Sequence, residues 1–371
     1  MTHFNDAIRR VALVHRVTLA MVVLVAITAQ MNLGQFRSAS ARWPETGDPV
    51  LSSKLATWDS AHYLVLSEEG YEAGSSSCAF FPLWPAAIHA VSFLTFGRPL
   101  VAGLLLANAL SLAAICVFYR LVEQHFGEVT GQRALILLLA FPSAYFFSFP
   151  YTESLYLTMV LVFFWKLERN QHFWPCIVAF LMPLTKAIGV FVVLPLAWHL
   201  FEQKKPWRYW LLLLAPVLGY AAYFGVMYLN TGNAFEGFEA QKAYPYSPSI
   251  KNMFDCGGFY RALVNTHSLG GMMDSALDRF LFILFLALLP LVYRLNKTWF
   301  FYTLPAGLVP AMTSYFMSYR RYIMVCFPIF IVLAQLLTNT KSRWVFWYYV
   351  VLLAMLQIWG VTQFVTFNWA G

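Results

Sequence analysis

Trp58-Asp59-Ser60-Ala61-His62-Tyr63, then Glu68-Glu69-Gly70-Tyr71, then Ala79-Phe80-Phe81-Pro82-Leu83-Trp84-Pro85, fill the first long polar gap of a 371-residue chain that is otherwise mostly apolar. A helix beginning near Thr57 puts Asp59, His62 and Tyr63 on one side, at i, i+3 and i+4. A carboxylate and an imidazole facing the same way beside a membrane suit proton transfer. Gly70 then stops the helix, and the aromatic-proline run after it suits a segment at the lipid-water boundary. The same pattern also fits an amphipathic interfacial helix with a solvated polar face. Periodicity alone does not separate the two.

Working outward, composition excludes an ordinary soluble domain. Hydrophobic residues make up 60%, aromatics 18% and charged residues only 11%, with a mean hydropathy of +0.61. Apolar runs of about 20 residues, the length that spans a bilayer, recur throughout. The net charge of +8 is spread over short loops, which fits topology and phosphate contact and not nucleic-acid binding. The cysteines show no metal-ligand spacing. No cofactor is expected, with a divalent cation left open. Cys78 and Cys256 fall in the two long polar loops, where a disulfide between them is one possibility and two unrelated thiols the other.

The charge pattern predicts about eleven spans in a single domain, 1–371. Val11–Met31 leads from a basic cytoplasmic N-terminus to a first outside loop, 32–97, in which Pro82–Gly97 is read as interfacial. Arg98–Val122, Gln132–Phe149, Tyr151–Leu167, His172–Thr185, Ala187–Phe201 and Tyr209–Leu229 follow. A second long outside loop, 230–278, is rich in glycine and proline turns. Phe280–Tyr293, Thr298–Met317, Tyr322–Leu337 and Trp344–Phe364 complete the set. Nearly every even-numbered gap is then basic, as the positive-inside rule requires.

The literal string Trp-Asp-x-x-His-Tyr, a Glu six residues after that His, Gly-Tyr, and Ala-Phe-Phe-Pro-x-x-Pro closely resemble the PIG-V family of membrane mannosyltransferases, which has bacterial relatives. That resemblance implies an all-α polytopic fold of the GT-C type, a site on the non-cytoplasmic face and a polyprenyl-phosphate sugar as donor. Phe149-Pro150-Tyr151-Thr152-Glu153-Ser154 is similar to the family's Pro-Tyr-Ser-Glu-Ser run, with Thr152 in place of Ser. Thr185-Lys186-Ala187-Ile188-Gly189 stands where relatives carry Thr-Arg-Ser-Asn-Gly, so the basic charge and the glycine survive and two polar side chains do not.

Each polar group has a plainer reading beside the functional one. Glu153 is either an active-site group or a carboxylate at the positive end of a helix. Lys186 is either a ligand or a lysine snorkelling to the interface. Arg320 and Arg321 break the charge rule by standing outside, where a planar guanidinium meets a donor phosphate or a lipid headgroup. The expected mechanism has Asp59 as general base, with Lys186 and Arg321 stabilising the departing phosphate and inversion at the sugar. His62, Tyr63, Glu153 and Arg320 complete the expected substrate-binding set, His62 either orienting Asp59 or holding a sugar hydroxyl. Glu68 is read as structural, because it faces nearly the opposite way from Asp59. The expected partners are a polyprenyl-phosphate sugar (mannose by likeness), a lipid or glycan acceptor and membrane lipids, in a bacterial plasma membrane with the site facing the periplasm. A lipid-linked sugar transporter or flippase, or a non-catalytic lipid-sugar binding protein, are the competing classes.

Overall fold

The computed structural model describes residues 13–369, apart from 15–16, 18–19, 22–23, 26–27, 46, 245–247 and 339–342. The chain is all-helical, as expected: among the described residues only one isolated bridge, Ser268 to Ser275, departs from helices, turns and coil. Four helices are long and apolar enough to cross a membrane, Pro99–Ala140, Trp207–Thr231, Ala276–Leu295 and Trp344–Val365. The chain is an integral membrane protein. The count of eleven is not reproduced as eleven continuous helices, because several expected spans are short or broken. Much of Val11–Met31 lies outside the described residues.

Twelve helices position the site: α1 Asp59–Glu69, α2 Leu83–Ser92, α3 Pro99–Ala140, α4 Glu153–Leu167, α5 Phe173–Leu181, α6 Val193–Glu202, α7 Leu214–Thr231, α8 Ala276–Leu295, α9 Lys297–Ser314, α10 Tyr319–Met324, α11 Pro328–Thr338 and α12 Arg343–Val365. α3 is the hub, packing against α2, α4, α11 and α12. It is two helices in one run, because Gly127 has φ 81° and ψ 170° inside it. That left-handed residue, open to glycine at no steric cost, reverses the chain in the gap expected between the spans Arg98–Val122 and Gln132–Phe149.

Beyond α3 the chain runs through Ala144–Ser148 as a 3₁₀ helix to Pro150, buried at every residue from Leu137. Burial by surrounding protein is what allows this irregular backbone in a membrane protein. α5 and α6 likewise form a short broken hairpin. Two 3₁₀ turns, Met182–Leu184 and Ala187–Val192, meet around Lys186, which is extended at φ −150° and ψ 142°. The hairpin closes because Gly189 packs on the Met182 backbone, where a Cβ would stand 2.3 Å from the carbonyl carbon.

The expected interfacial segment is a helix of ten residues, about 15 Å long and half of what a bilayer core needs. Trp84 anchors it, fully buried, with Nε1 donating to Pro150 O at 3.1 Å. Cys78 and Cys256 are both free thiols. The buried Cys78 Sγ donates to Glu72 O at 3.1 Å, so the possible link between the two loops does not form.

Candidate active site

Asp59 is the first residue of α1, and Glu153 is the first residue of α4. Both carboxylates therefore sit where the unpaired N–H groups and the helix dipole favour negative charge. Gly70, at φ 78°, ends α1 as expected, donating to Leu66 O at 3.1 Å. Lys186 comes from the break between α5 and α6, and Arg321 comes from α10.

The structure brings these four expected residues together. Arg321 Nη1 donates to Asp59 Oδ2 at 2.7 Å, and its Nε donates to Glu153 Oε1 at 2.8 Å. Lys186 Nζ donates to the same Glu153 oxygen at 3.0 Å. Two cations and two carboxylates thus form one charge-balanced cluster of short, charge-assisted bonds. The Arg321 guanidinium carbon also lies 4.9 Å from the Phe146 ring centre and 4.7 Å from that of Tyr151, a cation–π setting that desolvation strengthens.

The four differ in access. The Glu153 side chain is 0% exposed, while that of Asp59 is 24% exposed. A small cleft with room for about one water molecule opens beside the pair, lined by Trp58, Asp59, Phe146, Tyr151, Arg321, Phe364 and Trp369. Thr57 Oγ1 and Trp58 Nε1 are buried nearby without a partner among the described residues.

Backbone strain collects at the same place. Trp58, immediately before Asp59, has φ 53°, and Tyr315, Phe316 and Ser318, just ahead of the arginines, have φ 49°, 71° and 57°. Side chains larger than glycine seldom adopt this region, and such outliers cluster at functional sites.

Three expected residues make no bond to this cluster. Arg320 is not in the cluster: its Nε and Nη2 donate to Asp278 Oδ1 and Oδ2 at 3.1 and 2.8 Å, and Nη2 reaches Ser275 Oγ at 3.0 Å. Both partners of that ion pair are 1% exposed, so the guanidinium is a structural tie between α8 and α10 and has no open edge for a substrate. Tyr63 is 5% exposed, packs with Leu64, Trp84 and Ile88, and meets the Tyr151 ring edge-on at 6.4 Å, so it backs the pocket wall from the buried side.

His62 is on the expected side of α1 but meets different partners. Its Nδ1 lies 2.9 Å from Ser77 Oγ, and its Nε2 lies 3.1 Å from Ser40 Oγ and 3.2 Å from Tyr244 OH. The ring stacks on Phe80 at 4.5 Å. Burial pushes its pKa down to about 4 against the opposing pull of the Asp59 charge. Held neutral and fully bonded, His62 fastens the two long loops to each other, without a free nitrogen for a sugar hydroxyl. Glu68 is exposed, away from the site, as its angle on the helix implies.

Sequence reasoning missed the aromatic walls. Phe364 and Trp369 come from the last residues of the described chain, and no spacing relates them to Asp59. Tyr151 stood inside a run already singled out for Glu153, and that run was the available signal. Among the described residues no group of three or more His, Cys, Asp or Glu side chains is placed to hold a metal ion.

Residues 8–361 match the family model described as mannosyltransferase (PIG-V). No individually curated protein matches the chain significantly. Among solved structures, ArnT from Cupriavidus metallidurans bound to undecaprenyl phosphate is similar at 14% identity and TM-score 0.48, over 96% of this chain and 74% of that one. The Archaeoglobus fulgidus oligosaccharyltransferase tethered to an acceptor peptide is similar at 11% identity and TM-score 0.42, over 96% of this chain and 55% of that one. AglB from the same organism, in complex with an inhibitory peptide and a dolichol-phosphate, is similar at 10% identity and TM-score 0.42, over 96% and 56%. These likenesses are distant.

Proposed function

Because the chain belongs to the PIG-V mannosyltransferase family, and is thus a membrane glycosyltransferase, we propose that it moves mannose from a polyprenyl phosphate to an acceptor hydroxyl by a GT-C type inverting displacement. Asp59 takes the proton of the acceptor hydroxyl as that oxygen forms a bond to the anomeric carbon. The bond from that carbon to the phosphate oxygen breaks on the opposite face, and its electron pair leaves with the phosphate. The donor phosphodiester carries one negative charge and the released monoester carries two, while Asp59 goes from charged to neutral, so charge balances.

The observation that carries this reading is the sharing of Arg321 between Asp59 and Glu153, with Lys186 on the same Glu153 oxygen, at the edge of the aromatic pocket. A base and two cations lie within one site, which is what removing a proton and stabilising a departing phosphate require. Glu153, fully buried, holds both cations and does not meet the substrate itself; it is a positioning residue. The bilayer supplies the donor's tail, and the acceptor approaches from the periplasmic side of a bacterial plasma membrane.

The test is mannosyl transfer from synthetic polyprenyl-phosphate mannose by the purified protein in nanodiscs. Asp59→Asn keeps the size of the side chain but cannot accept the proton, and turnover should fall by at least about 100-fold. The product should carry the opposite anomeric configuration to the donor. Transfer from a nucleotide sugar in place of the lipid donor, or retained configuration, would overturn the reading.

A further inference from the structure

The two carboxylates on Arg321 are not equivalent. Glu153 is fully buried, and its Oε1 is already shared with Lys186, so it has nowhere to move. Asp59 is a quarter exposed and borders the pocket. Arg321 spends Nε on Glu153 and Nη1 on Asp59, and Nη2 has no partner among the described residues. The end-on fork that suits a phosphate is the Nη1–Nη2 edge. Asp59 occupies half of it.

A phosphate entering the pocket therefore competes with Asp59 for the same donor. Until it arrives, Asp59 Oδ2 is held at 2.7 Å by the Arg321 guanidinium, so the carboxylate is turned to the cation and not to an acceptor hydroxyl. We propose that in the resting protein Asp59 fills the phosphate seat on Arg321, and that the donor's phosphate displaces it, so that the base becomes available only once the donor is bound. This rests on the roles assigned above to Asp59 and Arg321. It adds an order of events, donor before acceptor, and a reason for it: an armed base with no donor would have no sugar to transfer.

The proposal has an unusual sign. Removing the charge of Asp59 should tighten phosphate binding while it removes turnover. The probe is polyprenyl phosphate, the carrier without its sugar, titrated into detergent-solubilised protein and followed by the change in total tryptophan fluorescence, to which Trp58 and Trp369 at the pocket respond. Asp59→Asn should bind it about 10-fold more tightly than the native chain, the lower end of what a charge-assisted hydrogen bond contributes. Asp59→Ser, which also lacks the charge, should do the same and serves if the amide variant does not fold. In an Arg321→Ala background the gain should vanish, because the two residues then share nothing to compete for.

Unchanged or weaker affinity in the Asp59 variants, with turnover still lost, would overturn the displacement and leave Asp59 as base. Retained turnover in Asp59→Asn would instead overturn the assignment of the base itself, so the two failures are distinguishable. An equal fluorescence response to phosphatidylglycerol at the same concentration would overturn the seat as one for the carrier, since any lipid phosphate would then fill it.

Discussion

Arg320 and Arg321 are consecutive residues of one short helix, and each holds a buried carboxylate, yet only one of them belongs to a site. Arg320 is closed: both oxygens of Asp278 face it, Ser275 adds a third contact, and both ion partners are 1% exposed. Arg321 is open: its second carboxylate, Asp59, is 24% exposed and borders a pocket. The difference teaches that two charges that depart from the expected positive-inside pattern need not have one explanation. A closed pair is a tie between helices, and an open one is where we propose an anion binds.

The largest effect should come from breaking the closed pair. Arg320→Ala leaves Asp278 buried without a counter-ion, which costs about 3 to 5 kcal/mol and should show as a sharp fall in melting temperature and in folded yield. Arg321→Ala leaves Glu153 paired with Lys186, so it should melt closer to the native chain. Its donor binding should weaken by about 1–3 kcal/mol for the lost charged hydrogen bonds. If Arg320→Ala folds normally and binds donor weakly, the two arginines have been assigned the wrong way round.

How much of this was legible in the sequence differs by residue. The all-helical membrane fold follows from apolar length alone, and the turn at Gly127 falls in the gap that the charges of Arg120 and Arg133 mark. Glu153, Lys186 and Arg321 could be singled out because each is a charge at the end of an apolar run, where burial has to be justified, and Asp59 because it shares a helix side with His62 in the polar signature. Family likeness favoured Arg321, but the residues alone could not show that Arg320 is a tie, because its partner, Asp278, is 42 residues away and looks like an ordinary acidic helix start. His62 shows the same limit. Its place on α1 follows from i, i+3 spacing, but its closure by Ser40, Ser77 and Tyr244 depends on loop contacts that carry no periodicity.

His62 extends the comparison, since it stands in the signature with Asp59 but is closed like Arg320. Its folded pKa of about 4 lies below the ordinary value near 6.5. Between those values the unfolded chain binds more protons, so stability rises with pH there. The contribution is fully present above about pH 6.5 and is lost as pH falls through about 4, by up to about 3 kcal/mol. His62→Gln keeps hydrogen-bonding groups without titrating, and should flatten that acid-side loss in a thermal-unfolding series from pH 7 to 4. An identical acid slope in both proteins would take His62 out of the closed class.

Gly189→Ala sharpens the open side. The added Cβ would stand 2.3 Å from the Met182 carbonyl carbon and 2.4 Å from its oxygen, so the hairpin that presents Lys186 has to shift. Overpacking of this kind costs about 1–3 kcal/mol. Polyprenyl-phosphate binding should weaken along with stability, because Lys186 moves off Glu153. A variant that loses stability but binds the carrier normally would separate Lys186 from the phosphate.

The smallest effect tests whether the His62 network is only a tie. Tyr244 OH donates to Ser76 O at 3.1 Å and lies 3.2 Å from His62 Nε2, while its ring meets Phe80 and His62 edge-on at 6.2 and 6.0 Å. Tyr244→Phe keeps the ring contacts and removes the hydroxyl alone. The loss is one ordinary set of neutral hydrogen bonds, about 0.5–1.5 kcal/mol, because Ser40 still satisfies His62 Nε2. Backbone amides near Tyr244 should then exchange roughly 2- to 10-fold faster in a hydrogen-exchange experiment, with mannosyl transfer changed far less than in Asp59→Asn. The hydroxyl touches neither Asp59 nor Arg321, so nothing in its removal disturbs the proposed base or the proposed phosphate seat. If Tyr244→Phe instead abolishes transfer as completely as Asp59→Asn, the network reaches the reacting groups, and the division between closed ties and the open pair has to be redrawn around His62.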